Sequence, residues 1–575
     1  MAELECIPYA VGHADEGVCL LLKIGPYRVL LDCGLVDGRS LPLSGDWAPA
    51  EGSWVHPHWP ADLVLCSHAH PDHAQGLLDL HAAYPKLPIF SSAATAQLLP
   101  LNWIDPGDRN LDFCHTLPWR IPTEVAPQLT VELYPAGHLP GAAAFLLTYT
   151  PSFGSESAEA RPYTVLYTGD FLLSNSRLVD GLPLNELRGL NPDVLILEGS
   201  FGTARYPHRR QQETQCAERI LKAIRQGQSV LLPVPILGLA QELLMLMRSH
   251  HTFTGKDVEI WVEEPIAQAC DAYLALLPHL PPTVQNFAQH QPLFWDDRIR
   301  PRVRRLSSTL RSPIAEHPCI VLASETTDVA AYCCSGDRNW LVLWPQYPPQ
   351  RHAATGEVFG PEAVSYDVNL ERWQFLLQTG KVDFETYLLA EHCDGPGTTQ
   401  LIHNLRPQHV VFVHGSPAYL ADLTSLDELA NRYHLHSPGA GKRLELPVGD
   451  GLIQTIAPSS SKDTIFEGEV YELDREIRIA LPLQLQQDPR WRDFIDTGLI
   501  EASWQGETLV LRSISQRELL ATHYQTLTPQ VKCCGGCKHY KGQRCWNQRS
   551  TLYSFKVSPD GYCPAFEANP PASTE

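Results

Sequence analysis

The sequence lacks the segments by which secreted and membrane proteins are usually recognised. Its first ten residues, MAELECIPYA, contain neither a basic stretch nor an apolar one, so we expect no secretory signal. No uninterrupted apolar run reaches the roughly 18 residues that a transmembrane helix needs. We therefore expect a cytoplasmic protein with no membrane partner. In that compartment the 16 cysteines should be reduced thiols or metal ligands and not disulfides.

Positive charge is also scarce. The 44 lysines and arginines face 65 aspartates and glutamates, which leaves a net charge of −21. This balance argues against a protein that coats nucleic acid through bulk charge, although a local basic track remains open. The chain has 575 residues, 44% of them hydrophobic, so at roughly 150 residues per domain we expect three or four domains.

Short apolar segments that end in a glycine or an acid recur in the first 200 residues. Residues 18–25 and 27–34 predict a β-hairpin, and buried strands that run into polar loops are predicted at 62–70, 164–171 and 193–202. Because α/β proteins collect such strand ends at one edge of a sheet, the polar residues there predict a functional site.

A different pattern, in which amphipathic helices alternate with buried strands, occupies residues 205–375, and the first pattern then returns. This order predicts an α/β domain inserted into a first domain, which it splits into residues 1–204 and 376–450. A small β-rich module is predicted at 451–530 and a Cys-rich tail at 531–567.

Three histidines and an aspartate lie close together in the segment SHAHPDH, which begins at Ser67. Imidazole and carboxylate groups are the usual ligands of borderline transition metals. On a turn that follows a strand, alternate side chains can face two different ions. A histidine-rich surface is the simpler alternative in a chain with 24 histidines, but four candidate ligand residues this close together favour a metal site.

This segment resembles the central motif of the metallo-β-lactamase superfamily, and further motifs follow in the family's order. They are Asp32 in YRVLLDCG, His138 in AGHLPGAA, Asp170 in YTGDF and His414 in VFVHGSP. The resemblance implies an αββα sandwich around two metal ions. The implied ligands of the first ion are His68, His70 and His138. Those of the second are Asp72, His73 and His414, with Asp170 bridging the two ions. Asp32 would orient a ligand or the attacking hydroxide.

Three other segments resemble the β-CASP nucleases of that superfamily. Glu198 in LEGSFG resembles their acidic motif, and LLPVPILGLAQELL resembles their Pro-x-Phe-Ala-x-Gly-Arg-x-Gln-Glu segment. His392 in LLAEHCDG stands 22 residues before His414, as in that family. The resemblance implies that the insertion is a β-CASP domain. Since His414 is typical of the RNA-processing members, it also implies a ribonuclease.

The implied mechanism is hydrolysis of RNA phosphodiester bonds by a hydroxide that bridges two Zn²⁺ ions, with Mn²⁺ as the alternative metal. Its products would carry a 5′-phosphate and a 3′-hydroxyl. The candidate catalytic residues are Asp32, Asp72, Glu198 and His392, and His392 oriented by Glu198 would act as general acid. The implied partner is single-stranded RNA, and the protein would work as a homodimer or in an RNA-processing complex. Endonucleolytic and exonucleolytic attack both remain open.

Two departures from the family pattern affect the expected binding of the substrate. Leu239 stands where the family has an arginine, and Glu325 lies in a segment where the family has a glycine. They leave two alternatives to an active ribonuclease. One is an RNA-binding or scaffold protein that has lost its RNA-cleavage activity. The other is a hydrolase of a different phosphodiester or of an ester.

A local basic track is predicted at residues 298–311, which carry six arginines and no acid. Arginine suits phosphate oxygens, so Arg302, Arg304 and Arg305 are candidate RNA contacts. The alternative is an ion-paired surface.

The tail contains a CxxC pair, and two further cysteines can complete a set of four thiolates: Cys534, Cys537, Cys545 and Cys563. Such a set predicts a Zn²⁺ site, with a [4Fe–4S] cluster as the second choice and unliganded thiols as the third.

Overall fold

A computed structural model shows the chain as two units, residues 1–458 and 459–575. In the first unit it describes residues 4–12, 16–36, 38, 41, 58–103, 109–151, 161–306, 314, 317–333, 338–346, 376 and 378–448. In the second it describes residues 469–473, 476–480, 500–505, 508–513, 537–541, 544–545, 547 and 567. No helix in these ranges has the length and apolar character to cross a bilayer.

Two seven-stranded sheets are formed by the described residues of the first unit. The first sheet has the order β20-β1-β2-β3-β4-β5-β6, with β1 (Leu4–Val11), β2 (Val18–Ile24), β3 (Tyr27–Leu31), β4 (Leu63–Leu65), β5 (Ile89–Ser92), β6 (Cys114–Leu117) and β20 (Leu444–Glu445). The second has the order β19-β18-β11-β10-β9-β8-β7, with β7 (Thr123–Ala126), β8 (Leu129–Pro135), β9 (Ala143–Tyr149), β10 (Tyr163–Tyr167), β11 (Val194–Glu198), β18 (His409–Val413) and β19 (His434–His436).

The core between these two sheets explains why their strands are apolar on both faces. In β2, Leu20 and Leu22 pack into the cluster shared by the two sheets, whereas Leu21 packs into a second cluster with the helices outside. The same alternation places Ile196 of β11 between the sheets and Leu197 outside. Because alternate side chains of a strand point to opposite faces, burial of both faces requires an unbroken apolar run.

Helices cover the outer faces and precede or follow the strands. They are α1 (Pro71–Ala74), α2 (Leu77–Ala83), α3 (Ala93–Leu98), α4 (Leu184–Leu187), α5 (Arg209–Arg225), α6 (Leu239–Ser249), α7 (Glu264–Ala275), α8 (Pro282–His290), α9 (Val329–Cys333), α10 (Gly395–Leu405), α11 (Pro417–Thr424) and α12 (Asp427–Ala430). Pro71 and Pro417 stand at helix starts, where a missing N–H costs nothing.

The insertion builds a third sheet of six described strands, all paired in parallel, in the order β14-β13-β15-β12-β16-β17. These strands are β12 (Ser229–Val234), β13 (Glu259–Glu263), β14 (Arg302–Leu306), β15 (Cys319–Ser324), β16 (Trp340–Pro345) and β17 (Val382–Tyr387). The predicted αββα sandwich with an inserted α/β domain is thus confirmed. The boundaries at residues 204, 375, 450 and 530 stay predictions.

The second unit contains three short antiparallel hairpins in its described residues. They pair β21 (Glu469–Leu473) with β22 (Glu476–Ala480), β23 (Ile500–Gln505) with β24 (Thr508–Ser513), and β25 (Tyr540–Lys541) with β26 (Arg544–Cys545). The first two hairpins lie within residues 451–530, where the small β-rich module stays a prediction, and the third lies within the predicted Cys-rich tail.

Candidate metal centre

The predicted site residues of the first unit follow the carboxyl ends of strands. Asp32 comes directly after β3, Asp170 comes three residues after β10, and Glu198 is the last residue of β11. His392 follows β17, and His414 comes directly after β18. Because parallel strands present these ends at one edge of a sheet, residues far apart in the sequence converge.

The first group of ligand atoms is a tight cluster of three imidazoles. His70 Nδ1 lies 3.2 Å from His68 Nε2 and 2.9 Å from His138 Nε2. Asp170 Oδ2 lies 3.5 Å from the same nitrogen of His68 and 3.7 Å from that of His138. Four ligand atoms at these separations surround a volume that fits one cation.

The second group shares Asp170 with the first. Asp170 Oδ2 lies 3.3 Å from His73 Nε2, and Asp72 Oδ2 lies 3.1 Å from His414 Nε2 and 3.9 Å from His73 Nε2. One carboxylate oxygen therefore faces imidazole nitrogens of both groups, which is the arrangement that the resemblance implies for a bridging ligand.

The second ring nitrogen of each of these histidines has a partner, as is usual for metal-binding imidazoles. His138 Nδ1 lies 2.9 Å from the Glu391 carbonyl oxygen, and His70 Nε2 lies 3.4 Å from that of Leu237. The other three contacts are His68 Nδ1 with Ser67 Oγ at 3.0 Å, His73 Nδ1 with Asp32 Oδ2 at 2.7 Å, and His414 Nδ1 with Ser200 Oγ at 2.9 Å. These contacts fix the ring orientations.

Asp32 lies beneath the second group and is fully buried. Its carboxylate accepts hydrogen bonds from the Ser67 N–H at 2.6 Å, the Ser67 hydroxyl at 2.7 Å and the Tyr167 hydroxyl at 2.5 Å. Asp32 has φ of 59°, a backbone conformation that is uncommon outside glycine. Its Oδ2 lies 2.7 Å from His73 Nδ1, and Asp32 is absent from the described groups of residues whose ligand atoms could hold an ion. The sequence pattern did not single out Ser67 or Tyr167.

His414 also has a left-handed backbone, with φ of 51°. A β-carbon at Gly12 would lie 2.6 Å from His414 Cδ2, so only glycine leaves room for this ring. This close approach is how β1 and β18 bring His414 to the site.

Electrostatics differ between the two groups. Burial lowers the pKa of His68 and His70, and it lowers that of His138 to about 3, so these rings are neutral and have free lone pairs. Burial has the same effect on His73 and His414, but nearby carboxylates outweigh it. Asp170 raises the pKa of His73 well above its usual value and that of His414 to about 10. The second group therefore attracts positive charge.

Buried polar atoms support the fit of a cation. Among the described residues, His73 Nε2 and Asp170 Oδ1 are buried and make no hydrogen bond. Such atoms are rare in folded proteins unless an ion or a ligand satisfies them. The chemistry of the donors, imidazole and carboxylate, suits Zn²⁺ or Mn²⁺.

His392 and Glu198 form a pair beside the Asp170 carboxylate. His392 Nδ1 lies 2.8 Å from Glu198 Oε2 and 3.8 Å from Asp170 Oδ2. Burial lowers the pKa of His392, but the Glu198 carboxylate outweighs it and raises the pKa to about 9. Ser200 also donates to Glu198 and so links this pair to His414. The imidazole is thus positioned to carry a proton next to the metal groups.

The inserted domain holds the His392 loop through the Ala390 peptide. The Ala390 N–H donates to Gln212 Oε1 at 2.8 Å, and its carbonyl accepts from Arg209 Nη1 at 2.5 Å. Both side chains come from the first turn of α5. The sequence pattern did not single out Arg209 or Gln212, because a contact with backbone groups leaves no motif.

Glu242, at the start of α6, joins the inserted domain to the loop that follows Asp170. Its buried carboxylate accepts hydrogen bonds from Ser176 Oγ at 2.7 Å and from the Arg177 and Leu178 N–H groups at 3.0 and 2.9 Å, and it pairs with Arg209 at 3.1 Å. The Glu242 carboxylate is thus an acceptor for four donor groups.

We expect Glu242→Ala to lower the free energy of unfolding by about 3 kcal/mol, because it leaves the Arg177 and Leu178 N–H groups without their acceptor and removes the carboxylate that pairs with Arg209. The midpoint of chemical denaturation measures the loss. Glu264→Ala is the matched control, since Glu264 is 52% exposed and its ion pair with Arg305 is 3.9 Å long; it should cost less than about 0.5 kcal/mol. Equal midpoints for the two variants would contradict the prediction.

The three predicted RNA-binding arginines lie on β14, an edge strand of the six-stranded sheet. Arg302 lies 3.4 Å from Asp257, Arg304 lies 2.8 Å from Asp297, and Arg305 lies 2.5 Å from Asp271. RNA phosphates would have to compete with these carboxylates. The assignment stays a prediction.

The cysteine tail is described only in part. Cys537 and Cys545 are buried free thiols, whereas Cys534 and Cys563 lie outside the described residues. A four-thiolate zinc or iron–sulfur site in the tail stays a prediction.

A search of protein families matches residues 27–232 to a family described as a beta-lactamase superfamily domain. The chain is 47% identical over 578 residues to the uncharacterized protein sll0514 of Synechocystis, a match that covers 99% of this chain and 97% of the relative.

Two more distant relatives carry functional names. Integrator complex subunit 11 of Gallus gallus is 22% identical, over 84% of this chain and 83% of the relative. An RNase J-like protein of Methanocaldococcus jannaschii is 26% identical, over 53% of this chain and 68% of the relative.

Proposed function

Because the chain belongs to the β-CASP family of metallo-β-lactamase-fold hydrolases, we propose that it is a metal-dependent ribonuclease that hydrolyses single-stranded RNA. One observation carries the proposal: Asp170 Oδ2 lies within 3.8 Å of nitrogens from both imidazole groups and from His392. A shared carboxylate with a protonated imidazole beside it is the arrangement that phosphodiester hydrolysis needs. The name of the RNase J-like relative supports RNA as the substrate.

We assign the first metal ion to His68, His70 and His138, and the second to Asp72, His73 and His414, with Asp170 between them. When bound, the two ions, Zn²⁺ in our proposal and Mn²⁺ as the alternative, neutralise phosphate charge and make water a stronger nucleophile. The side chain of Asp72 is 45% exposed, so it can also hold a hydrogen bond to the entering water.

The proton for the leaving group comes from His392. Glu198 keeps this imidazole protonated at neutral pH, and the ring can donate to the 3′-oxygen as the phosphorus–oxygen bond breaks. The neutral ring then takes up a proton from solvent, which the Glu198 carboxylate favours because it stabilises the imidazolium. The products are a 5′-phosphate and a 3′-hydroxyl.

The test is cleavage of a 5′-labelled single-stranded RNA after metal analysis of the purified protein. We expect about two metal ions per chain in the active site and products with a 3′-hydroxyl, which a 3′-end ligation assay detects. A wild-type rate equal to that of His70→Ala would overturn the proposal.

A second candidate function is an RNA-binding or scaffold protein without cleavage. Its supporting observation is the segment from Ser324 to Thr327, whose donors face a carboxylate of the chain itself. The Ser324 N–H and the Thr327 hydroxyl donate to Glu263 at 2.8 and 3.0 Å. Metal-loaded protein that retains the labelled RNA on a filter without cutting it would favour this function.

The contribution of the β14 arginines to RNA binding has its own test. If Arg302, Arg304 and Arg305 contact three phosphates, their replacement by glutamate should lower the slope of log affinity against log salt by about 2, at about 0.7 per phosphate of a single strand. Filter binding from low to high salt measures the slope. An unchanged slope would assign these residues to ion pairing alone.

We propose that the protein acts in an assembly, either a homodimer or an RNA-processing complex. The similarity to the Gallus relative, a subunit of the Integrator complex, supports the second.

A further inference from the structure

Three histidines outside the candidate metal centre lie together on one face of the second seven-stranded sheet. β18 and β19 pair in parallel with His409 opposite His434, and His436 is two residues further along β19. Side chains two residues apart in a strand share a face, so all three imidazoles project to the same side. We call them the edge-strand histidine cluster. His409 begins β18, and His414 follows its end about 16 Å away, at about 3.3 Å per residue.

The rings are in close contact. The ring centroid of His409 lies 5.0 Å from that of His434 and 5.3 Å from that of His436. His409 Nδ1 lies 3.0 Å from His436 Nε2. Two imidazole nitrogens that bind one tetrahedral zinc ion at about 2.0–2.1 Å are about 3.3 Å apart, so the observed separation needs only a few tenths of an ångström of adjustment.

The hydrogen bond between His409 and Pro447 leaves the lone pair of His409 Nδ1 available to a metal ion. His409 Nε2 lies 2.7 Å from the Pro447 carbonyl oxygen and must donate to it, because a carbonyl oxygen only accepts. In a neutral ring the lone pair is then on Nδ1, which faces His436. A metal-binding imidazole typically has this form, with its other N–H donated to a backbone carbonyl.

The surroundings favour neutral rings and allow access. Burial lowers the pKa of His409, and burial together with His409 and His434 lowers that of His436 to about 4. His409 is buried, whereas His434 and His436 are partly exposed. A cation can therefore enter from the His434 and His436 side.

We propose that the edge-strand histidine cluster binds one borderline transition-metal cation of the Zn²⁺, Co²⁺, Ni²⁺ or Cu²⁺ class. His409 Nδ1 and His436 Nε2 are its first two ligands, and His434 supplies the third by rotation of its partly exposed side chain. The absence of an oxygen donor from the three side chains excludes Mg²⁺ and Ca²⁺ as the preferred ion. The bound ion stabilises the pairing of the edge strand β19 with β18. This role is independent of the proposed ribonuclease activity.

The test compares metal binding by the full-length wild type, His436→Asn and His403→Asn. His403 is the matched control: it is a partly exposed histidine, on α10, whose Nδ1 lies 3.0 Å from the Tyr433 hydroxyl. Each protein is stripped of metal and titrated with Co²⁺, and the bound equivalents are counted by equilibrium dialysis and visible absorption. We expect His436→Asn to bind one equivalent fewer than the wild type and His403→Asn to match the wild type.

Equal numbers of equivalents and equal affinities in the wild type and His436→Asn would overturn the proposal and leave the 3.0 Å contact as an ordinary imidazole–imidazole hydrogen bond. Circular dichroism checks the fold of each variant. If His436→Asn is misfolded, His434→Asn replaces it, since that side chain is partly exposed and its loss should weaken Co²⁺ binding at least tenfold.

Discussion

Replacement of His392 by alanine should slow RNA cleavage by about 10²- to 10⁴-fold without changing the metal content. The expected loss is that of a general acid, because Glu198 raises the pKa of His392 to about 9 and the His392 ring lies 3.8 Å from Asp170 Oδ2. Single-turnover cleavage of labelled RNA gives the rate, and elemental analysis gives the metal count.

A second substrate separates proton donation from a merely structural role. Bis(p-nitrophenyl) phosphate has a leaving group that departs without a proton, so His392→Ala should slow its hydrolysis far less than it slows RNA cleavage. If both substrates lose the same factor, His392 acts by positioning and not as an acid.

Asp170→Asn should remove at least one of the two metal ions and slow cleavage by at least about 10³-fold. The oxygen that faces both imidazole groups loses its charge, and the stabilisation that two cations give to a phosphoryl transition state is worth several kcal/mol. Metal per chain after dialysis and the cleavage rate are measured together, and high metal concentration should restore part of the rate.

Asp193→Asn is the control for the loss of a buried aspartate in the same sheet. Asp193 is buried, pairs with Arg161 at 2.7 Å and accepts from the Thr164 N–H at 2.9 Å, near the start of β11. Its replacement should reduce stability and leave the metal count unchanged. Two metal ions and an intact rate in Asp170→Asn would show that the bridging assignment is wrong.

Much of the fold was predictable because it depends on local patterns. The hairpin of β2 and β3 ends where Gly25 has φ of 58°, and the unbroken apolar runs of β10 and β11 are those of strands buried on both faces. Helix α5 begins at Arg209, and its first buried apolar residue is Cys216. Its first turn is polar because it contacts the Ala390 peptide and Glu242, and an apolar periodicity gives no sign of such contacts.

The residues that orient the candidate ligands were harder to predict from the sequence than the ligands themselves. Tyr167 and Ser200 look like ordinary strand and loop residues, yet they donate to Asp32 and Glu198. Arg302, Arg304 and Arg305 look like a basic track, but carboxylates from other segments pair with each of them. Tyr167 and Asp32 are 135 residues apart, and Arg305 and Asp271 are 34 residues apart, so no local pattern could reveal these pairs.

The sequence by itself determined the chemical types available to this protein: imidazoles and carboxylates at strand ends, and apolar runs that form strands buried on both faces. Only the tertiary structure decided which nitrogen of each histidine faces the other candidate ligands. It also decided that Asp32 forms a hydrogen bond with His73. The reason is physical, since a strand pattern fixes which face a side chain takes, whereas the ring orientation depends on hydrogen bonds to residues up to a few hundred positions away.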